Sequence, residues 1–152
     1  MAPTPTPTPD GANLLTNGSF EASSLPSWGW AGFSSVPGWT ALSGGTIELW
    51  NNLHEGVNAT NGTKFGELDY LGGQDGFYQN TKTVAGQKYN LSFDARARPG
   101  FTTSNTIEVL WNDKVVATVP PGGSWKTYNF TVTGTGGSDR LTFREAANQS
   151  GD

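Results

Sequence analysis

The sequence predicts an all-β domain, a jelly-roll-type β-sandwich of two antiparallel sheets, and three observations carry that expectation. The first is composition: 21 Gly and 9 Pro in 152 residues, with 14% charged side chains, make a chain rich in turns and poor in solvated helix faces. The second is alternation. Tyr89, Leu91, Phe93 and Ala95 interleave with Asn90, Ser92, Asp94 and Arg96, a period of two that points one set inward and the other out. The third is spacing, because short runs of this kind recur between Gly, Asn and Pro punctuation and no stretch carries a helical stripe.

The elements follow in order. Residues 2–9 read APTPTPTP, which lacks half its amide donors and favours polyproline II angles, so residues 1–11 are expected as an extended linker and 12–152 as a single module. The first half offers strands at Leu14 to Glu21, Thr46 to Trp50, Lys64 to Asp69 and Gly76 to Val84, within a loop-rich stretch from Ser23 to Gln79. The second half is more regular. After the run at Tyr89, Ile107, Val109 and Trp111 alternate with Glu108, Leu110 and Asn112, and Asn112-Asp113 predicts a hairpin turn into Val115 to Val119. Tyr128, Phe130 and Val132 form a further inward set, and a Gly-rich turn from Thr133 to Ser138 leads to a last strand at Arg140 to Glu145.

Charge and composition exclude several functions. A net charge of -4 argues against a nucleic-acid partner, and no apolar run reaches membrane-spanning length. Zero Cys removes disulfides and thiolate metal sites. No Gly-x-Ser-x-Gly elbow, His-Glu-x-x-His pair or phosphate loop supports a hydrolase triad, a zinc protease or a nucleotide enzyme. The Pro-Thr spacer marks a tethered module, with a bacterial, secreted, extracellular or cell-surface setting the expectation.

The opening LLTNGSFE, the Pro37-Gly38-Trp39 turn, the stretch NATNGTKFGELD and the block from Gly86 to Pro99, in that order, resemble the galactose-binding-like β-sandwich. That group includes bacterial carbohydrate-binding modules of families 4, 9 and 22 and related cell-wall domains. The resemblance implies a structural calcium, with Glu21 as side-chain ligand and Thr63 and Lys64 as carbonyl ligands; the alternative is that Glu21 merely ends a strand. A hard cation of this kind wants several oxygens, carbonyls included. Members of the group also finish with a strand bearing an Asp-Asn-hydrophobic motif, which is not found from Ala146 to Asp152. The sandwich is therefore expected to lack its last strand, leaving it open to a complementing C-terminal strand peptide or a swapped chain.

Sugar recognition needs flat apolar faces for pyranose C–H surfaces and amides or carboxylates for paired hydroxyls. Trp28, Trp30, Trp50, Tyr70 and Tyr78 are candidate platforms, with Glu48, Asn51, Asn52, Glu67, Asp69, Gln74 and Gln79 as polar partners. Trp28 and Trp30, separated by one glycine in a segment with little strand signal, are the best exposed pair. Trp39, Trp111 and Trp125 are expected to be structural. Arg96 and Arg98 could grip a uronate or vicinal hydroxyls, or could pair across strands with Glu108 or Glu145. His54 has no second His or Cys to share a metal and is expected as a loop residue.

Glu48 with Glu67 or Asp69 could face each other as acid and base, which keeps a glycan-active enzyme among the readings. The expected function is a non-catalytic carbohydrate-binding module that tethers an attached enzyme or surface protein to a polysaccharide or oligosaccharide. The alternative is an adhesin or assembly module completed by a partner's strand.

Overall fold

The computed structural model describes residues 11–70, 74–102 and 104–147. The linker expected at residues 1–11 therefore lies outside the described residues except for Gly11, as does the tail from 148 onward.

Eleven strands make up the fold: β1 (Trp30–Phe33), β2 (Ser35–Val36), β3 (Trp39–Ala41), β4 (Ile47–Asn51), β5 (Lys64–Glu67), β6 (Gly76–Lys82), β7 (Lys88–Ala95), β8 (Ile107–Trp111), β9 (Lys114–Val119), β10 (Lys126–Thr133) and β11 (Ser138–Glu145). Single-turn 3-10 segments at Leu42–Gly44 and His54–Gly56 interrupt the loops. All pairings are antiparallel, in an all-β sandwich.

One layer is a six-stranded sheet in the order β2-β3-β6-β11-β8-β9. Facing it are two separate pieces, β1-β4-β5 and β7-β10. The core lies between the layers: Trp39, Phe77, Val109 and Leu141 from the six-stranded sheet meet Ile47 and Leu49 from β4, Leu91 from β7 and Val132 from β10. Phe20 wedges against Trp39 and Phe77 with ring centroids 5.8 and 5.6 Å apart. The two expected sheets are thus two layers, the second of them broken between β5 and β7.

Alternation placed the second half well. The run at Tyr89 becomes β7, with Leu91 and Ala95 buried and Asn90, Ser92 and Asp94 exposed. Asn112 and Asp113 take φ of 49° and 63°, the left-handed pair a two-residue hairpin needs between β8 and β9.

Two expectations need correction. Leu14 to Glu21 forms no strand, because no neighbouring backbone pairs with it there; Thr16 instead bonds both its N–H and its carbonyl to the Gln79 side chain, and the Leu14 carbonyl accepts from Thr81 Oγ1. In the opposite sense, the stretch around Trp30 that carried little strand signal forms β1, β2 and β3, paired to β4 and β6 by tertiary contact rather than local preference.

Asp139 pins the turn between β10 and β11. It is only 1% exposed and accepts from Thr83 Oγ1, Thr135 N–H, Thr135 Oγ1 and Asn112 Nδ2. Burial alone would raise its carboxyl, but these donors together hold it down to about 2 against an ordinary value of 3.8. A lowered carboxyl stabilises fully above its unfolded value and loses that contribution as pH falls through the folded one. Asp139→Ala is expected to cost at least about 2 kcal/mol at pH 7 in urea denaturation. Asp139→Asn should flatten the acid limb of the stability curve between pH 4 and pH 2 (about the span between the two values).

Candidate functional site

Strand register builds one face. β1 pairs with β4 so that Trp30 opposes Trp50 and Gly32 opposes Glu48; β4 pairs with β5 so that Trp50 opposes Phe65 and Glu48 opposes Glu67. These six residues share the side of the β1-β4-β5 sheet away from the core, since Ile47 and Leu49 point the other way. Gly32 is needed there: a Cβ on it would lie 2.7 Å from Thr46 Cγ2 and 3.2 Å from Tyr70 Cε2, so only glycine lets the Tyr70 ring rest against the sheet.

Over this face lies a cleft of about 400 Å³. Trp30 and Tyr70, 6.0 Å apart edge to face, form its aromatic wall, while Glu48, Asp69, Glu55 and Arg98 supply its polar groups. Trp30 is 46% exposed and Trp28, on the loop before it, 79%. Trp50 is the floor rather than a platform, being 2% exposed. His54 packs edge-on at 4.3 Å above it and the Arg98 guanidinium lies 5.3 Å from its centre.

The polar groups hold one another in place. Trp50 Nε1–H donates to Glu48 Oε1 at 2.5 Å. Arg98 forms a two-point pair with Glu55, Nε to Oε2 at 3.1 Å and Nη2 to Oε1 at 2.7 Å, which pulls the Glu55 carboxyl below the usual range. Glu55 reaches this position because Leu53 and Glu55 both take left-handed backbone angles, φ 71° and 49°. Burial raises the Glu48 carboxyl, against the opposing pull of the Trp50 N–H and Arg98. Glu67 is pushed up to about 8, first by burial and then by the fields of Glu48 and Asp69, even though Asp69 N–H donates to it at 2.8 Å and Arg98 lies near.

Of the expected binding residues, Trp30, Glu48, Trp50, Asp69, Tyr70 and Arg98 come together at the cleft. Glu67 sits in register beside Glu48 at its edge. Asn51 serves the site indirectly: its Nδ2 donates to the Pro26 carbonyl at 2.5 Å and its backbone N–H to the Gly29 carbonyl, bracketing the loop that displays Trp28. Asn52 closes its own loop by accepting from Ala59 N–H.

Other candidates fall elsewhere. Gln79 is buried at 5% exposure, because period two turns it inward with Phe77, and it clamps Thr16. Tyr78 lies on the outer face of the six-stranded sheet beneath the Arg140 guanidinium, 4.2 Å from its centre. Gln74 is exposed and reaches the Glu145 carbonyl at 3.5 Å, and Arg96 Nε donates to the carbonyl of Ala97. Glu108 pairs with Arg144, not with Arg96 or Arg98. The reading missed Glu55. Only its nearness to His54 in a polar loop marked it, and the left-handed turn that aims it at Arg98 has no sequence signature.

The implied calcium set does not fit as placed. Glu21 Oε1 accepts the backbone N–H of both Thr63 and Lys64 at 2.7 Å, Oε2 lies 3.4 Å from Lys64 Nζ, and the Thr63 carbonyl is taken by Asn52 N–H. Donors and an ammonium thus surround the carboxylate where a cation would need oxygens. Burial pushes the Glu21 carboxyl upward, but those donors outweigh it and hold it below the usual range. Gly62 permits the approach: its φ is 77° and a Cβ there would lie 2.5 Å from Glu21 Cδ. Among the described residues, no group of three or more His, Cys, Asp or Glu is placed to hold a metal ion.

Comparison with known proteins gives two kinds of match. Curated relatives named multifunctional-autoprocessing repeats-in-toxin match over 141 residues, 91% of this chain, at 28% identity in Vibrio vulnificus and 30% in Vibrio cholerae serotype O1. The match spans only 2% and 3% of those proteins. Among solved structures, a family 35 carbohydrate-binding module from Clostridium thermocellum is similar in shape, with a TM-score of 0.49 and 12% identity over 80% of this chain and 90% of that one. No family model matches the chain.

Two outcomes are expected of this geometry. A carboxyl raised in the folded state contributes fully below its ordinary value, here 4.5, and loses that contribution as pH rises through the folded one, here about 8. Thermal denaturation should therefore show stability falling between those limits, and Glu67→Gln, which keeps an acceptor for Asp69 N–H, should flatten that fall. Calcium or a chelator should leave the melting temperature unchanged, whereas Gly62→Val should lower it by separating Glu21 from its donors.

Proposed function

We propose that residues 12–152 form a non-catalytic carbohydrate-binding module, carried on the Pro-Thr segment and holding an attached enzyme or surface protein at a polysaccharide outside the cell. The observation that carries this reading is the exposure of Trp30 beside a cleft whose carboxylates are already fixed in place. A pyranose ring lies with its C–H face on the Trp30 indole and its edge toward Tyr70. Its hydroxyls donate to Glu48 and Asp69, and Trp28 extends the platform to a second residue of the chain.

Pre-fixed partners limit the entropy lost on binding. Arg98 is spent on Glu55 and Trp50, so the cleft favours hydroxyl-rich neutral sugars over uronates. Tethering through the spacer raises the local concentration of whatever it carries, so modest affinity is sufficient. Among the described residues no helix is long and apolar enough to cross a membrane, a statement that does not bear on β-barrels.

Affinity electrophoresis in gels containing xylan, β-glucan, pectin or alginate tests the reading. Retardation is expected in a neutral-glycan gel, with Trp30→Ala weakening it at least tenfold, roughly the worth of one stacked ring at about 1.4 kcal/mol. Trp28→Ala should weaken it less. Trp50→Ala should instead lower stability by about 3–5 kcal/mol, as expected for a core aromatic. Absence of retardation in every gel, or release of reducing sugar by the protein, overturns the proposal.

A further inference from the structure

We propose that the groove between β5 and β7 receives a single extended peptide segment, apolar at alternate residues, donated by a partner polypeptide and paired to both walls as an added strand. The inference is independent of the sugar-binding reading. Among the described residues β5 pairs only with β4 and β7 only with β10, so each turns one backbone edge toward the other without a ladder between them. Both edges line one cleft of about 810 Å³.

The floor of that cleft is core. Phe20, Trp39, Phe77, Leu141 and Phe143 of the opposite side all line it, and Phe93 of β7 meets Phe143 at 4.9 Å. Residues 12–15 continue the β5 wall with the strand-like sequence Ala-Asn-Leu-Leu, yet they make side-chain bonds in place of a ladder. One missing neighbour accounts for three features at once: the break in the second layer, the unladdered segment and the opening onto the core.

Only one class of occupant satisfies the groove. A lipid chain would cover the apolar floor but leave the N–H and C=O groups of both walls without partners. A sugar would meet the walls but not the floor. A β-strand does both, its backbone bonding to β5 and β7 and every second side chain dropping onto the phenylalanines. It would also join the three-stranded and two-stranded pieces into one sheet facing the six-stranded one. The eight residues of β7 set the length of segment that can be matched.

The test uses the full chain and a capped peptide of about eight residues alternating Val and Thr, the length of one strand. A control peptide has its two central Val replaced by Pro, which removes donors and breaks the pairing. The Val-Thr peptide should raise the melting temperature in a concentration-dependent way, by at least about 4 °C at saturation. It should also slow amide exchange in β5 and β7 while leaving β9, an outer edge of the other sheet, unchanged. The same segment fused behind Asp152 through a Gly-Ser linker should reproduce both effects at any concentration. No effect from either form, an equal effect of the Pro control, or protection at β9 overturns the proposal. So does a dimeric free chain with β5 and β7 already protected, which would assign the groove to a second copy.

Discussion

β4 is the constraint on which the site depends. Ile47, Glu48, Leu49 and Trp50 are all buried, yet strand geometry sends them to opposite faces: Ile47 and Leu49 into the core, Glu48 and Trp50 to the outside of the sheet. The outward pair is buried by its own coverings, Arg98 and His54 above Trp50 and the hydrogen bond between Trp50 and Glu48. The core therefore positions the outer floor without intervening loops. A one-residue slip in register would exchange the two sets and abolish both the packing and the cleft.

From that floor the rest of the arrangement follows by layers. Trp50 supports Arg98, Arg98 fixes Glu55, and β1 sets Trp30 opposite Trp50 so that the exposed ring stands on a rigid base. Asn51, the next residue of β4, fastens the loop that carries Trp28. The same layer is incomplete on its other side, where β5 ends the three-stranded piece and the core is reached through the groove. A carboxyl raised by burial, Glu67, stands where the two regions meet. Recognition and completion of the sheet are thereby neighbours on one strand.

Much of this was legible in sequence where alternation is local. The runs from Tyr89 onward, the Asn112-Asp113 turn and the strands around Thr46, Lys64 and Gly76 could be read because their period of two is intrinsic to the chain. β1 to β3 could not, since Trp-Ala-Gly-Phe has no pattern of its own and becomes a strand only against β4. Leu14 to Glu21 failed for the mirror reason: it has the pattern and lacks the neighbour. At the site, aromatic and acidic residue types identified Trp30, Tyr70, Glu48 and Asp69. Separating Trp30 from Trp50, or Glu48 from Gln79, required knowing which face each strand turns outward. Calcium was implied by resemblance, whereas the actual partners of Glu21 are backbone donors that no side-chain pattern records.

The most direct measurement is a titration of the indole N–H resonances with a neutral oligosaccharide in heteronuclear NMR. The account predicts that the signals of Trp28 and Trp30 move, that Trp50 responds weakly as the floor beneath, and that Trp39 and Trp111, bonded to the carbonyls of Asn17 and Thr133, stay fixed. Movement confined to Trp111 or Trp125 with Trp30 unchanged would contradict it.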